Sequence, residues 1–76
     1  MNRSTKVEAP WMVYRGDDEI EVDLIGTVLR EADDVYGVGY VLDEMDVRKD
    51  GHPFALTASE IPAAEQRLMD EFASRA

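Results

Sequence analysis

Histidine is the side chain best suited to proton transfer near neutral pH, and this 76-residue sequence contains one, His52. It follows the turn dipeptide Asp50-Gly51, and no serine or cysteine nucleophile motif accompanies it. A histidine beside a surface turn is far more often solvated than catalytic. We therefore assign no catalytic residue and expect a protein without enzymatic activity.

Carboxylates are plentiful, with 17 aspartates and glutamates, so metal binding is the next chemistry to consider. The stretch that begins at Asp46 resembles the start of a calcium loop. Arg48 occupies its third position and Thr57 its twelfth, however, where the loop needs an oxygen ligand and a bidentate glutamate, respectively. Carboxylates on an open sheet face also lack the cleft that an acid–base pair requires. We expect neither a metal site nor a cofactor.

The net charge of −9 is concentrated in one part of the chain. Between Asp17 and Asp46 there are eleven acidic residues against one basic residue, Arg30, so this segment has a net charge of −10. The other residues contain six acids and seven bases, a net charge of +1. The acidic segment would repel phosphates and attract a basic protein surface, so direct nucleic-acid binding is disfavoured. The alternative is a solvated face that only prevents aggregation.

Length and composition indicate one small domain over residues 1–76. A core built from 76 residues is thin, and without cysteine neither a disulfide nor a cysteine–zinc site can support it. No apolar run approaches the ~18 residues that a membrane helix needs, and the polar N-terminal segment is unlike a secretory signal. We expect a cytoplasmic protein, with a flexible N-terminal arm over residues 1–6.

The first predicted elements are two strands joined by a tight turn. Trp11-Met12-Val13-Tyr14 is rich in side chains that favour strands, and Gly16-Asp17 supplies the turn. A two-residue loop sorts the cross-strand pairs into an apolar face and a mixed face, whereas a three-residue loop is the alternative. The apolar pairs are Val13–Ile20 and Trp11–Val22, and the mixed pairs are Tyr14–Glu19 and Met12–Glu21.

The second strand has a clear period of two, because residues 19–24 alternate between an acidic and an apolar side chain. Beyond residue 24 the acidic face becomes apolar, at Ile25 and Leu29. One interpretation is that Gly26 marks a β-bulge that exchanges the two faces. The other is that Ile25 and Leu29 form an outward apolar patch that suits a dimer or partner contact.

A second hairpin follows a loop predicted over residues 31–37. Asp50-Gly51 between alternating segments predicts a type I′ turn, which joins a third strand over residues 41–48 to a fourth strand. Pro53 cannot donate to a ladder, so the fourth strand is expected at a sheet edge. The expected pairs are Val47–Phe54 and Met45–Leu56.

The C-terminal part changes to helical periodicity. Its apolar stripe consists of Ile61, Ala64, Leu68 and Phe72. Two N-caps are open: Thr57, in a capping-box pattern with Glu60, or Ser59, which places Pro62 in the first turn. We expect the helical segment within residues 58–75 and the regular helix at about residues 60–74.

Together these elements predict an α+β fold, in which an antiparallel β-meander of three to four strands over residues 10–57 packs on one C-terminal α-helix. One face of the sheet packs on the helix and the other meets water. The alternation and the first turn direct many acids to the exposed side. The candidate partner-binding residues are Tyr14, Asp17, Asp18, Glu19, Glu21, Asp23, Glu44 and Asp46. The candidates for a dimer or apolar contact are Ile25 and Leu29.

Residues 40–75 contain a characteristic order of elements. A predicted strand is followed by the Asp50-Gly51 turn, by the segment Leu56-Thr57-Ala58-Ser59-Glu60, and by an alanine- and glutamate-rich helix that includes Ala63-Ala64-Glu65. In this arrangement the chain resembles a loose group of small acidic proteins encoded by phages and prophages. Some of these proteins inhibit bacterial defence, among them anti-CRISPR proteins and DNA mimics that occupy nucleic-acid-binding grooves. The resemblance implies such a role for the whole chain and transfers no individual functional residue.

Two functional hypotheses result. The first is a non-enzymatic, phage-encoded inhibitor similar to anti-CRISPR proteins. Its acidic sheet face would bind a basic nucleic-acid-binding surface of a host defence complex, such as a CRISPR effector, and block DNA or RNA. The second is a small structural or assembly protein of a phage or prophage that forms a homodimer through the patch of Ile25 and Leu29.

Overall fold

The computed structural model describes residues 3–33 and 37–75, and these residues form an α+β fold. Four antiparallel strands in the order β1-β2-β3-β4 make one sheet, with one C-terminal helix packed on it. The strands are β1 (Arg3–Arg15), β2 (Asp18–Asp33), β3 (Gly37–Lys49) and β4 (His52–Pro53), and the helix is α1 (Ile61–Ser74). The predicted meander packed on one helix is confirmed.

The first hairpin has the register that a two-residue loop predicts. Val13 lies opposite Ile20, and Trp11 lies opposite Val22. Gly16 has a φ of 59°, while Asp17 has no positive φ, which is the pattern of a type II′ turn. This turn twists in the same sense as the two strands it joins, so a long hairpin can follow it.

Strand β1 begins at Arg3, so the expected flexible arm is wrong for residues 3–6, and residues 1–2 lie outside the described part. The alternation that buries Val13 continues past Pro10 to Ala9 and Val7, which are both buried in the core cluster. Strand β2 is long enough to pair with β1 as far as Arg3. Pairing with a long neighbour therefore orders a segment whose own composition is too polar to predict a strand.

A β-bulge lies between β2 and β3, and it belongs to β3. Thr27 lies opposite Glu44 and Val28 opposite Leu42, so Asp43 is the extra residue. The bulge lets Leu42, rather than Asp43, face Val28 and pack against the core. Because β2 itself stays regular, the interpretation of Gly26 as a bulge is wrong. The outward positions of Ile25 and Leu29 are retained.

The turn between β3 and β4 is the predicted type I′ turn, since Asp50 and Gly51 have φ values of 52° and 82°. The Phe54 N–H donates to the Val47 carbonyl at 2.9 Å, as expected for that pair. Strand β4 nevertheless ends at Pro53, and the expected Met45–Leu56 ladder pair does not form. The chain leaves the sheet here because residues 54–60 must cross the end of the first hairpin to reach α1.

The loop predicted over residues 31–37 is shorter than expected. Strand β2 continues to Asp33 and β3 begins at Gly37, which leaves residues 34–36 outside the described part of the chain. The polar composition of this segment indicates a loop, but two strands that are already paired can extend their ladder through such residues.

The helix begins at Ile61, with Glu60 in the N-cap position and Pro62 in the first turn. Both proposed N-caps, Thr57 and Ser59, are therefore wrong, while the expected regular helix is confirmed within one residue. Proline has no N–H, so it is tolerated only in the first turn, and this sets the start of the helix. Ile61 is 40% exposed and lies outside the core, contrary to its expected place in the apolar stripe.

The core is a single layer between the sheet and α1. Its buried residues are Val7, Ala9, Val13, Val22, Leu24, Val28, Val47, Ala64 and Leu68. Trp11, Ile20, Met45, Phe54 and Leu56 pack partly buried around it, on the face predicted for them. All of these side chains lie on the helix side, which leaves the other face of the sheet in solvent.

Candidate functional site

The face of the sheet that lies opposite to α1, called the outer face, carries most of the candidate residues. Residues paired in register stand side by side, so the side chains of this face form cross-strand groups. From the Gly16-Asp17 turn outward, these groups are Tyr14–Glu19, Met12–Glu21, Pro10–Asp23–Arg48, Glu8–Ile25–Asp46 and Lys6–Thr27–Glu44.

Three carboxylates follow one another along β2 on this face. Glu19, Glu21 and Asp23, called the acidic row, are all exposed. Alternate residues of a strand repeat at ~6.6–6.8 Å, so the three charges form a regular line. No ion pair joins any of them to another residue that the structure describes. Their charge is therefore available to a partner.

An apolar row on β1 runs beside the acidic row. Tyr14 lies opposite Glu19, with 69% of its surface exposed. Met12, half-buried, and Pro10, exposed, lie opposite the other two acids of the row. Charge and apolar contact area are thus adjacent. A lysine or arginine side chain can use both, because its methylene stem contacts apolar surface while its charged head contacts a carboxylate.

The two candidate acids of β3 are in a different environment. The Arg48 Nε donates to Asp46 Oδ2 at 2.7 Å, and Arg48 also lies opposite Asp23 in the register. Farther along, the Lys6 amine lies 3.4 Å from Glu8. The alternation of β1 and β3 already places the bases Lys6 and Arg48 on the outer face, where only acids were expected from the sequence. Asp46 therefore contributes less charge than the acidic row, whereas Glu44 is exposed and has no such bridge among the described side chains.

Asp17 and Asp18 lie at the end of the molecule rather than on the outer face. Asp17 is in the turn, and Asp18 lies opposite Arg15, whose side chain contacts the helix side. Asp43, at the bulge, is also exposed. The charge of the acidic segment is therefore spread over the outer face, one turn and one bulge.

The two apolar candidates of β2, Ile25 and Leu29, are half-buried on the outer face. Ile25 lines a groove of about 500 Å³ together with Thr27 and Glu44. Leu29 lies opposite Val41, which is 40% exposed. Thr27 separates the two, so the apolar patch is small.

A further charged contact, missed in the sequence, lies on the helix side. The Arg15 guanidinium donates from Nε and Nη2 to both carboxylate oxygens of Glu60, at 3.2 and 2.8 Å, and also to the Ala55 carbonyl at 2.8 Å. The Glu60 carboxylate also accepts the Thr57 N–H at 2.8 Å. The hydrogen bond from Arg15, and then that from Thr57, lowers the pKa of Glu60 to about 2. The capping-box spacing of Thr57 and Glu60 indicated half of this arrangement.

Two further candidate groups from the sequence are the single histidine and the metal-binding carboxylates. His52 is exposed in β4. Across residues 3–33 and 37–75 no three histidine, aspartate or glutamate side chains are grouped as metal ligands. Neither is there, in the same ranges, a helix long and apolar enough to cross a membrane.

Comparison with known proteins adds no relative: no family model matches the chain, and neither curated proteins nor solved structures give a significant match. The function must be argued from the geometry of this chain alone.

Proposed function

We propose that this protein is a binding module whose outer face occupies a basic, nucleic-acid-binding surface of another protein. The observation that carries the proposal is the acidic row of Glu19, Glu21 and Asp23, exposed, without an ion pair among the described side chains, and beside the apolar row that includes the exposed Tyr14. In its most specific form the protein is an inhibitor of a host defence complex, encoded by a phage and similar in action to anti-CRISPR proteins. The inhibition is by occupation of the surface and involves no chemistry.

The spacing of the acidic row supports competition with nucleic acid. Alternate residues of β2 are ~6.6–6.8 Å apart, whereas one strand of a duplex carries a phosphate every ~3.4 Å along the axis. Phosphates follow a helical path, so their separation in space is larger than this rise and comparable with that of the carboxylates. Basic groups arranged to bind a phosphate backbone could therefore bind the acidic row instead. The backbone of the row is held by the sheet, so binding costs side-chain but little backbone conformational entropy.

Tyr14 would supply contact area at the end of this line. Tyrosine is enriched at the energetically dominant positions of interfaces, because it buries a large surface with few rotatable bonds. Since Tyr14 lies directly opposite Glu19, a basic side chain could contact the ring with its stem and the carboxylate with its head.

The test compares a variant that lacks the three charges of the acidic row with a control variant that lacks three negative charges elsewhere. The row variant carries Glu19→Gln, Glu21→Gln and Asp23→Asn, and the control variant carries Asp50→Asn, Glu65→Gln and Asp70→Asn at exposed sites off the outer face. Immobilised wild type, row variant and control variant are each used to capture proteins from a bacterial lysate. Bound proteins are then eluted with a 30-base-pair DNA duplex or with a matched RNA.

We expect the wild type and the control variant to retain the same nucleic-acid-binding protein, which the duplex or the RNA releases, and the row variant to lose it. The wild-type complex should weaken steeply with salt, because exposed charges are screened within ~10 Å at 0.1 M. Equal capture by both variants, or a captured protein that neither nucleic acid releases, would show that the acidic row does not bind in this way.

A homodimeric assembly protein is the second candidate. It is favoured by the outward Ile25 and Leu29 together with the exposed Val41 opposite Leu29. The patch is small for a stable dimer, which usually buries ~800 Å² on each partner. The oligomeric state in solution separates the two candidates.

A further inference from the structure

The sheet has two edges. The first edge is β1, whose central residues cannot pair with a further strand. Because proline has no N–H, Pro10 must occupy a position of β1 whose backbone groups point away from β2, and no donor is present there. Two residues away, in the same orientation, the Glu8 carbonyl accepts a hydrogen bond from Arg75 Nη2 at 3.2 Å. A missing donor and an occupied acceptor protect this edge from a further strand.

In the described part of the chain, the second edge, on β3, has neither a proline nor a bonded carbonyl of this kind between its start and the bulge at Asp43. Strand β4 pairs only with Arg48 and Lys49, and no other strand in the described ranges pairs with the outer side of β3. Residues 38–42, called the edge segment, contain neither a charged side chain nor a proline. Tyr40 and Val41 in this segment are 49% and 40% exposed. An uncharged open edge of this kind is a ready template for strand addition.

The register also shows which backbone groups of the edge segment are available. Since Pro10 cannot bond to β2, the groups of Asp23 point to β3, and so do those of every second residue up to Leu29. Val41, opposite Leu29, is therefore bonded to β2. The N–H and C=O of its neighbour Tyr40 must point to the open side.

The charges around the edge segment select its occupant. Asp43 and Glu44 follow the segment directly, and Glu31 lies on β2 opposite Gly39, while the base Arg30 lies opposite Tyr40. A second copy of the chain carries the same net charge of −9, so the two molecules would repel each other as they approach. A cationic strand would be attracted instead.

From these observations we infer that the edge segment binds an extended, lysine- or arginine-containing segment of a partner protein by β-strand addition. This contact is separate from the acidic row: it uses backbone hydrogen bonds and lies toward the opposite end of the hairpin from the Gly16-Asp17 turn. A partner could use both surfaces, but either can fail without the other.

The direct test measures the binding of a fluorescein-labelled ten-residue peptide of alternating valine and lysine. Tyr40→Pro removes the available N–H, whereas Tyr40→Ala removes the same ring and its contact with Phe72 but keeps the N–H. We expect Tyr40→Pro to bind about tenfold more weakly than Tyr40→Ala, since it loses one hydrogen bond and blocks the ladder. The row variant and the control variant defined above should bind the peptide equally, which keeps this test independent of the acidic row.

A second arm leaves the protein unchanged, in case Tyr40→Pro does not fold. N-methylation of two successive central residues removes a donor from each edge of the peptide, and binding should fall about tenfold or more. A peptide of alternating valine and glutamate should also bind at least about tenfold more weakly than the lysine peptide. Equal binding of the methylated peptide, equal binding of the acidic peptide, or a wild-type dimer that Tyr40→Pro abolishes would each overturn the inference.

Discussion

At the scale of single residues, Arg15 and Glu60 join the end of the first hairpin to the start of the helix. The Arg15 side chain is 38% exposed and that of Glu60 is 16% exposed, so their bidentate contact is partly shielded from water. The Arg15 guanidinium also lies 4.9 Å from the centroid of the Phe54 ring. The irregular segment between β4 and α1 is therefore held at three points by one side chain.

The lowered pKa of Glu60 predicts a loss of stability in acid. The native carboxylate, with a pKa of about 2, binds a proton less readily than the unfolded one, with an ordinary pKa of about 4.5. The unfolded state then takes up more protons as the pH falls, so the contribution of Glu60 is complete above about pH 4.5 and is lost as the pH falls toward 2. Urea unfolding followed by circular dichroism from pH 7 to pH 2.5 should show this decrease.

Glu60→Gln should be less stable than the wild type at pH 7 and should lose less further stability on acidification. Glu65→Gln, at an exposed site on the same helix, is the matched control and should keep the wild-type pH dependence. If both variants follow the wild-type curve, the contact with Arg15 does not contribute to stability in solution.

At the scale of elements, Gly26 is a point of close approach between α1 and the sheet. A Cβ at this position would lie 2.8 Å from Leu68 Cδ1 and 2.9 Å from Leu42 Cδ1, and 3.1 Å from the Glu44 carbonyl oxygen. The absence of a side chain at Gly26 thus lets the helix pack against β2 and β3 next to the bulge in β3. Its function is close packing, which the alternation of β2 alone could not distinguish from a bulge.

Gly26→Ala should destabilise the fold by about 1–3 kcal/mol, because a methyl group added to a packed core forces neighbouring side chains and backbone to shift. Gly39→Ala is the control, since a Cβ there meets no atom within 4 Å, and its stability should change by about 0.5 kcal/mol or less. Thermal or chemical unfolding of the two variants measures the difference. Similar stabilities would mean that the helix does not approach the sheet this closely.

At the scale of the whole molecule, a one-sided core leaves a large exposed sheet. The principal dimensions are 48 × 22 × 20 Å, and the helix covers only one face. Such a shape exposes two sheet surfaces, the outer face and the β3 edge, on a chain with a net charge of −9. Mutual repulsion of like-charged molecules is expected to favour the monomer, in which both surfaces would be accessible.

Sedimentation equilibrium should therefore find a species of 8.6 kDa at protein concentrations up to about 100 µM in 50 mM salt. The same species is expected in 500 mM salt, because the patch of Ile25 and Leu29 is too small to hold a dimer once the repulsion is screened. The salt series matters because screening removes the repulsion and reveals any apolar association. A dimer that Leu29→Ser dissociates would support the homodimeric candidate instead. Leu29→Ser suits this purpose because the side chain lies on the outer face, away from the core.

The local pattern of the sequence determined much of this fold. Period-two alternation predicted the register of both hairpins near their turns, and Asp50-Gly51 predicted the turn type, because these depend on neighbouring residues alone. The same alternation predicted the exposure of the acidic row and of Tyr14. Binding by these residues stays a prediction, since exposure alone does not identify a partner.

Only the tertiary structure decided the features that depend on residues far apart in the chain. Strand β1 reaches Arg3 because β2 is long enough to pair with it, and the bulge at Asp43 exists because Leu42 must reach the core. Arg15 contacts Glu60, which is 45 positions away in the sequence. Arg48 forms an ion pair with Asp46 and so offsets part of the negative charge of β3. Such contacts require the closure of long loops, and no local propensity records which distant residues the folded chain brings together.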